Sequence, residues 1–157
     1  MDDIKIGLAR DKDVDAIGNI SQQVSLIHYQ NIENEFKKPD LVDQKNYIRK
    51  SLAEKNVRII KAEIGETICG YLVLYINTYP DKYFIYHQRG FVGSIGVDEK
   101  CRRRGVGKSL LAYAEQLLKE QNIKILEIDV YTFNEHAEKL YDNFGFEDIK
   151  HYKRKFI

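Results

Sequence analysis

The chain has 157 residues, of which 43% are hydrophobic and 31% are charged, a composition typical of one soluble globular domain. Its 25 Lys and Arg residues against 24 Asp and Glu give a net charge of +1, which argues against a general nucleic-acid binder. The longest apolar run, residues 71–76, is too short to span a bilayer, and the amino terminus lacks a signal-peptide pattern. We therefore expect a single cytoplasmic domain over residues 1–157, with neither membrane nor nucleic acid as partner.

The first half of the chain begins with a strand pattern and continues with two helical ones. Residues 4–8 alternate apolar and polar side chains, which predicts a short strand. Apolar residues then recur at helical spacing over 14–27 and again over 39–56, where Pro39-Asp40 is a good helix start. Between the two helices, residues 28–38 lose this periodicity and mix polar with aromatic side chains.

The remaining elements are predicted from the same two periodicities. Residues 57–64 and 67–76 flank Gly65-Glu66, which predicts an antiparallel hairpin. Residues 82–90 are ambiguous between a loop and an extension of a strand. The later elements are predicted as strand 91–97, helix 105–121 with Asn122 as a left-handed end, strand 124–131, helix 134–144 ended by Gly145, and final strands over 146–149 and 152–157.

The cysteines give little chemical information. Cys69 and Cys101 have neither metal-ligand nor redox-motif spacing, and two cysteines indicate no disulfide framework. We accordingly expect no metal site in this protein.

A turn rich in cations and glycines joins the predicted strand 91–97 to the next helix. It reads Arg102-Arg103-Arg104-Gly105-Val106-Gly107-Lys108-Ser109. The start of a helix presents free backbone N–H groups that bind anions, and glycine allows a positive φ or close approach of a ligand. A basic surface turn is the simpler alternative, but strand, glycines, four cations and amphipathic helix coincide here. The turn predicts a phosphate-binding site.

Two motifs compete for this turn. Gly107-Lys108-Ser109 would complete a P-loop, but the first glycine of that motif would fall on Arg102. The alternative, Arg102-x-x-Gly105-x-Gly107, matches the [Q/R]-x-x-G-x-[G/A] signature of the GCN5-related N-acetyltransferases (GNAT). A second block, from Asn134 through Ala137, Leu140, Tyr141 and Phe144 to Gly145-Phe146, also resembles that family.

The resemblance covers nearly the whole chain and implies a fold. That fold is α/β (α+β): a central mixed, mostly antiparallel sheet of six to seven strands, flanked by about four helices. Two of its strands splay apart to hold acetyl-CoA. The resemblance further implies direct transfer of the acetyl group, in a ternary complex, to a primary amine of a small molecule or peptide.

The resemblance also assigns roles to residues of this chain. Tyr141 occupies the position of the general acid, although its spacing alone would make it a core tyrosine. Asn134 either caps its helix or also bonds the pantetheine. The residues implied in binding acetyl-CoA or CoA are Ile95 and Val97 on the strand, Arg102, Arg103, Arg104, Gly105, Val106, Gly107, Lys108 and Ser109 in the turn, and Asn134.

The sequence assigns neither the general base nor the acceptor amine. Many family members carry a glutamate on the strand before the turn, yet no Asp or Glu lies between Asp81 and Asp98. The candidates are Glu33, Glu35, His87, Asp129 and a chain of water. We expect the segments 28–38 and 77–90, the latter with Tyr79, Tyr83, Tyr86 and His87, to wall the acceptor site.

Two other functions stay open. One is a P-loop-like nucleotide-binding protein that uses Gly107-Lys108-Ser109, with Asp129 on a strand that would hold Mg²⁺. The other is a non-catalytic protein that binds CoA. The sequence leaves the oligomeric state undetermined, and a homodimer is one of the states it allows.

Overall fold

A computed structural model describes residues 3–157, which form a mixed sheet flanked by helices. The five strands of this range are β1 (Ile4–Leu8), β2 (Val57–Ile64), β3 (Thr67–Thr78), β4 (Gln88–Val97) and β5 (Leu126–Ile128). Its α-helices are α1 (Val14–Asn31), α2 (Leu41–Ala53), α3 (Val106–Glu120) and α4 (Glu135–Phe144). Short 3-10 turns at Asp11–Asp13 and Glu99–Cys101 precede α1 and α3.

The sheet has the order β1-β2-β3-β4-β5, and its last pair differs from the others. The first three pairs are antiparallel, whereas β4 and β5 run parallel. Their pairing starts at Gly90 and Leu126 and ends at Val92 and Ile128. Strand β4 continues to Val97, so its carboxyl-terminal half is separated from β5 by a gap. This mixed, splayed sheet confirms the predicted fold class.

The helices cover both faces of the sheet. Helices α1 and α2 pack on one face, where Ile17, Ile20 and Ile48 meet Tyr71 of β3. Helix α3 packs on the other face, where Leu110 and the rest of its apolar stripe meet a separate set of buried residues. We call these the α1 face and the α3 face; α4 lies beside α3 on the latter.

The sheet has fewer strands than the six to seven that we predict from the sequence. Residues 146–157 contain no strand, and β5 is limited to Leu126–Ile128. Most of the apolar side chains that suggested final strands remain in solvent, since Ile149 is 74% and Tyr152 94% exposed. An alternating pattern forms a strand only where a neighbouring strand and a core are available. Within residues 3–157 this segment pairs with no strand, and of its apolar residues only Phe146 packs against the core.

Several predicted helix boundaries are confirmed. Asp40 caps α2 by accepting hydrogen bonds from the amides of Val42 and Asp43. Asn122 has a φ of 58°, and Gly145 ends α4 with a φ of 105°. The ambiguous residues 82–90 are divided between a loop and β4, which begins at Gln88.

The cysteine count and spacing indicated no disulfide, and this interpretation is wrong. Cys69 on β3 and Cys101 in the turn after β4 form a disulfide, with 5.8 Å between their Cα atoms. The antiparallel register of β3 and β4 places Gly70 opposite Val97, and the amide of Asp98 donates to the carbonyl of Cys69 at 2.8 Å. Strand pairing therefore brings together two residues that are 32 apart in the chain, which spacing alone cannot reveal.

Residues 3–157 contain neither a candidate membrane helix nor a candidate metal cluster. No helix in this range combines the length and the apolarity that a membrane span requires. No group of three or more His, Cys, Asp and Glu side chains there is arranged to hold a metal ion.

Candidate active site

A cleft of about 1280 Å³ lies where β4 and β5 separate. Pockets for one small ligand usually measure about 300–1000 Å³, so this cleft has room for two. Its walls come from both faces of the sheet: the end of α1 and the loop before α2 from one, and the turn before α3 together with α4 from the other. The gap therefore connects the α1 face with the α3 face.

The free edge of β4 forms the floor of this cleft. Residues 93–97 all line it, Ile95 and Val97 among them. The pairing of β3 with β4 shifts by one residue beside Gly93, because Val73 pairs with Ser94 whereas Leu74 pairs with Val92. A bulge bends a strand and increases its local twist. Here the shift falls immediately after the last residue of β4 that pairs with β5.

The turn before α3 presents unbonded amides to the cleft. Gly105 has a φ of 84°, a left-handed value that costs other residues strain. Among the described residues no side chain caps α3, and the first bond within the helix runs from the Ser109 amide to the Gly105 carbonyl. The amides of Val106, Gly107 and Lys108 come before that bond, and all three residues line the cleft. This is the geometry of an anion site.

Gly107 has a different physical role. A Cβ at this position would lie 3.0 Å from Cδ2 of Leu140 on α4. The missing side chain thus lets α3 approach α4 closely, and so holds the predicted general acid near the turn.

The cationic side chains of the turn do not all face the same way. Arg102, Arg103 and Lys108 line the cleft, whereas Arg104 and Ser109 do not appear among the described residues that line it. The hydroxyl of Ser109 donates to the Gly105 carbonyl at 3.1 Å, a bond within the first turn of α3. Of the predicted cofactor-binding residues, the structure thus brings all but Arg104 and Ser109 to the cleft.

The turn is tied to α1 through Asp98. Its carboxylate accepts hydrogen bonds from Gln23 of α1 at 2.9 Å and from the Lys100 amide at 2.9 Å. Burial alone would raise the pKa of Asp98, but these bonds and the charges of Lys100 and Arg102 outweigh it and lower the pKa. The oxygen of the Gln23 side chain accepts from the Glu99 amide, which completes the link.

Tyr141 lies on the cleft side of α4 and is only 7% exposed. Burial, followed by the nearby charge of Asp129, raises the pKa of Tyr141 to about 12. Its phenol therefore keeps its proton at neutral pH and can donate it in a hydrogen bond. The ring also packs edge-on against Phe146 at 5.9 Å between centroids, so the residue belongs to the core and to the cleft together.

Asn134 caps α4, as one of the two sequence interpretations requires. Its side-chain oxygen accepts a hydrogen bond from the Ala137 amide at 3.1 Å. Asn134 also lines the cleft, and capping occupies only the oxygen of the amide. The amide nitrogen retains two donors for a ligand.

An aromatic cluster formed by His28, Phe36, Tyr131 and Phe133 spans the gap. Ring contacts join His28 to Phe36 at 5.8 Å, to Tyr131 at 5.4 Å and to Phe133 at 5.6 Å. Phe36 and Tyr131 also touch at 5.8 Å. The cluster therefore connects α1 and the loop that follows it with the segment between β5 and α4.

Only one of the two predicted acceptor walls lines the cleft. Within residues 3–157, the segment 28–38 contributes His28, Phe36 and Lys37, whereas residues 77–90 contribute nothing to its lining. The loop between β3 and β4 instead folds over Arg89, whose guanidinium stacks on Tyr79 and Phe84 and pairs with Glu127. This loop lies at the start of β4, whereas the turn before α3 follows the end of β4. The two are therefore at opposite ends of the strand.

The residues that the sequence offers as candidates for the general base lie in different parts of the structure. Glu35 pairs with Arg154 of the carboxyl-terminal segment. Asp129 lines the cleft and is exposed, whereas neither Glu33 nor His87 occurs among the described lining residues. Sequence reasoning missed His28, which lines the cleft at the end of α1. The available signal was its position four residues after Val24 on the same helix stripe.

Comparison with known proteins gives both sequence and structural relatives. A stretch of 96 residues is 28% identical to N-alpha-acetyltransferase 30 of Xenopus laevis; it covers 61% of this chain and 34% of that protein. The match thus spans about a third of the length of the curated relative.

Among solved structures, a mutant protein from Bacillus halodurans superposes with a TM-score of 0.88 at 20% identity, over 98% of this chain and 99% of its own. An aminoglycoside N-acetyltransferase in complex with CoA superposes with a TM-score of 0.79 at 15% identity, over 99% and 96%. These likenesses establish the fold. The sequence profile of the acetyltransferase (GNAT) family matches residues 25–146, most of the chain. The chain therefore belongs to the GNAT acetyltransferase family.

Proposed function

We propose that the protein transfers the acetyl group of acetyl-CoA to a primary amine of a small molecule or peptide, by direct attack in a ternary complex. The observation that carries this proposal is the cleft that passes through the sheet between β4 and β5. A donor bound from the α3 face and an acceptor bound from the α1 face would meet in the gap. Transfer then needs no covalent intermediate on the protein.

The residues of the α3 face suit a diphosphate with a long flexible arm. The amides of Val106, Gly107 and Lys108 and the cations Arg102 and Arg103 would hold the diphosphate. An extended amide arm would bond to the free edge of β4 near Ile95 and Val97, as an added strand does. Asn134 would donate to the same arm. Acetyl-CoA supplies an acetyl group activated as a thioester.

Tyr141 is proposed to stabilise the departing sulfur. Tyr141 lines the cleft, and its hydroxyl would donate to the sulfur as the C–S bond breaks. An ordinary thiol has a pKa of about 8.5, well below the value of about 12 for Tyr141. The proton is therefore held mainly on the phenol, which acts through a strong hydrogen bond, and the thiolate gains its own proton from solvent.

The acceptor is proposed only as a class. The sequence relative is named for N-alpha-acetylation and a structural neighbour for aminoglycosides, and both kinds of substrate present primary amines. The aromatic cluster is partly exposed, since Phe36 is 38% and Tyr131 42% exposed. Such a surface suits either a peptide end or an amine on a small molecule.

Ligand-dependent melting followed by an activity screen tests the proposal. Acetyl-CoA at 100 times its Kd adds about 2.7 kcal/mol of stability, which raises Tm by roughly 5 to 10 °C for a domain of this size. ATP with Mg²⁺ should raise it far less, and the opposite ranking would favour the P-loop alternative. Amines and peptides are then screened for thiol release from acetyl-CoA. Tight binding without release for any amine would instead favour a non-catalytic CoA-binding protein.

A further inference from the structure

We propose that His28 is the group that accepts the proton from the acceptor ammonium. This inference rests on the proposed function and adds a catalytic residue that the sequence motifs do not indicate. The need for such a group is chemical: an alkylamine has a pKa of roughly 10.4, so at neutral pH it arrives protonated and cannot attack. Strand β4 carries no carboxylate that could take this proton.

The hydrogen bond of His28 defines which ring nitrogen is available. Nδ1 lies 2.8 Å from the carbonyl oxygen of Val24, one turn earlier on α1. A carbonyl oxygen only accepts, so Nδ1 must carry the hydrogen. In the neutral ring Nε2 then has a free lone pair, and within residues 3–157 it makes no hydrogen bond. The ring is thus held as a proton acceptor.

The surroundings of His28 place it on the acceptor side of the gap. It belongs to α1, on the face opposite α3 and Tyr141, yet it lines the same cleft. Phe36, Tyr131 and Phe133 each make an edge contact with its ring and limit its orientation. The proton acceptor and the proposed hydrogen-bond donor to sulfur therefore lie on opposite sides of the reacting atoms.

The other basic groups of the cleft fit this role less well. Asp129 is exposed and raises the pKa of both Tyr141 and Tyr131, so it lies between the two sides of the gap and belongs to neither one alone. Carboxylates are also weaker bases than imidazole, and proton transfer is most efficient when the pKa of the base lies near the working pH. His136 is exposed on the first turn of α4 and lies on the α3 face.

The protons of the reaction balance with His28 in this role. Nε2 takes the first proton from the ammonium and releases it to solvent after the reaction. The neutral nitrogen attacks the acetyl carbonyl, an N–C bond forms, and the C–S bond breaks. The nitrogen loses a second proton to solvent, and the thiolate, held by Tyr141, takes one proton from solvent. One proton is released for each acetyl group transferred.

Several charged and titratable groups surround the aromatic cluster. Tyr131 touches the ring of His28, and burial, followed by Asp129 and Tyr152, raises the pKa of Tyr131, so it is neutral in the working range. The groups that carry charge are Lys37 of the loop, Asp129, the Glu35–Arg154 pair, and, across the cleft on α4, His136 and Lys139.

The first test is the pH profile of His28→Gln, a residue of similar size that cannot take the proton. For the parent, kcat/KM should depend only weakly on pH between 7 and 9, because Nε2 takes the proton that the bound ammonium must lose. For the variant, kcat/KM should fall about 100-fold at pH 7 and keep rising with the fraction of neutral amine. The ratio of the parental kcat/KM to that of the variant should shrink roughly tenfold for each unit of rising pH. His151→Gln, in the exposed carboxyl-terminal segment, is the matched control and should behave as the parent.

A deficit that is equal at every pH from 6 to 9, or no deficit, would overturn the role of His28 while leaving acetyl transfer intact. A second readout does not depend on activity: nitrogen-15 NMR of histidine-labelled protein at pH 8, with the His28→Gln spectrum as assignment. We expect hydrogen on Nδ1; a ring protonated on Nε2 would contradict the proposal. A parent with the expected tautomer that releases no thiol with any amine would refute the proposed function, and the role of His28 with it.

Discussion

The two sides of the gap between β4 and β5 are built in different ways. On the α3 face, the proposed anion site consists of backbone: a glycine in a left-handed conformation and the first amides of a helix. On the α1 face, the wall consists of four side-chain rings from three separate segments. A site built from backbone tolerates changes in most of its side chains, whereas a site built from packed rings changes its shape with each substitution.

This difference suggests how such a protein can change its acceptor while it keeps its donor. The proposed donor side depends on local geometry that a short motif specifies. The proposed acceptor side depends on His28 and Phe36 meeting Tyr131 across the gap. Four variants, from the largest expected effect to the smallest, test whether the two sides can be altered separately.

Tyr141→Phe removes the hydroxyl from the α3 side and leaves the packing of the ring. We expect kcat to fall about 100-fold, with the Kd of acetyl-CoA within about twofold of the parent. Thiol release and calorimetry measure the two quantities. Tyr113→Phe on α3 should turn over as the parent does, and a Tyr141→Phe variant with parental kcat would remove this residue from the mechanism.

The pKa of Tyr141 adds a further expectation for the parent protein. Since the folded protein keeps the phenol protonated up to about pH 12, this group should cause no loss of activity up to pH 10. An alkaline decline below pH 9 that disappears in Tyr141→Phe would contradict this assignment.

Gly105→Ala forces a side chain into the left-handed region at a φ of 84°. We expect a strain of about 1–3 kcal/mol, and about a tenfold weaker Kd for acetyl-CoA if the turn relaxes and its amides shift. Gly65→Ala is the matched control, because Gly65 has a φ of 63° in the hairpin between β2 and β3. Equal loss of affinity in both variants would mean that strain weakens the whole fold and that the turn has no special role.

Phe36→Leu shortens one ring of the aromatic cluster on the acceptor side. We expect KM for the amine to rise about threefold to tenfold, since one aromatic contact is worth roughly 0.5–1.5 kcal/mol, with the Kd of acetyl-CoA unchanged. Tyr83→Leu replaces a ring that is 72% exposed in the loop between β3 and β4. A larger effect from Tyr83→Leu would restore that loop as the acceptor wall and show that the sequence-based prediction was right.

Asp98→Asn tests the point where a side chain from α1 supports the donor side. Because the pKa of Asp98 is lowered in the folded protein, its charge contributes stability above the unfolded value of about 3.9. That contribution is lost as the pH falls through the lower folded value. We expect a cost below about 1 kcal/mol at pH 7, since Asn can still cap, and a weaker pH dependence below pH 4, both measured by urea unfolding. An unchanged acid profile would show that Asp98 does not anchor the turn.

The sequence by itself determined the parts of this protein that depend on residues close together in the chain. Asp40 and Gly145 mark helix ends because a cap and a left-handed stop act over a few residues. The turn from Arg102 to Lys108 could be predicted as an anion site for the same reason. The fold class was implied by the resemblance of this turn, and of the block from Asn134 to Phe146, to the GNAT family.

Only the tertiary structure decided the features that depend on distant partners. The disulfide joins Cys69 to Cys101 because strand register aligns them. Residues 146–157 form no strand, although their pattern suggests one, because they lack a partner strand and only Phe146 among their apolar residues packs on the core. His28 is surrounded by the rings of Phe36, from the loop after α1, and Tyr131, from the segment after β5. Only the fold brings these two segments together at the gap. Local periodicity encodes which face of an element is buried, but not which distant residue will meet it there.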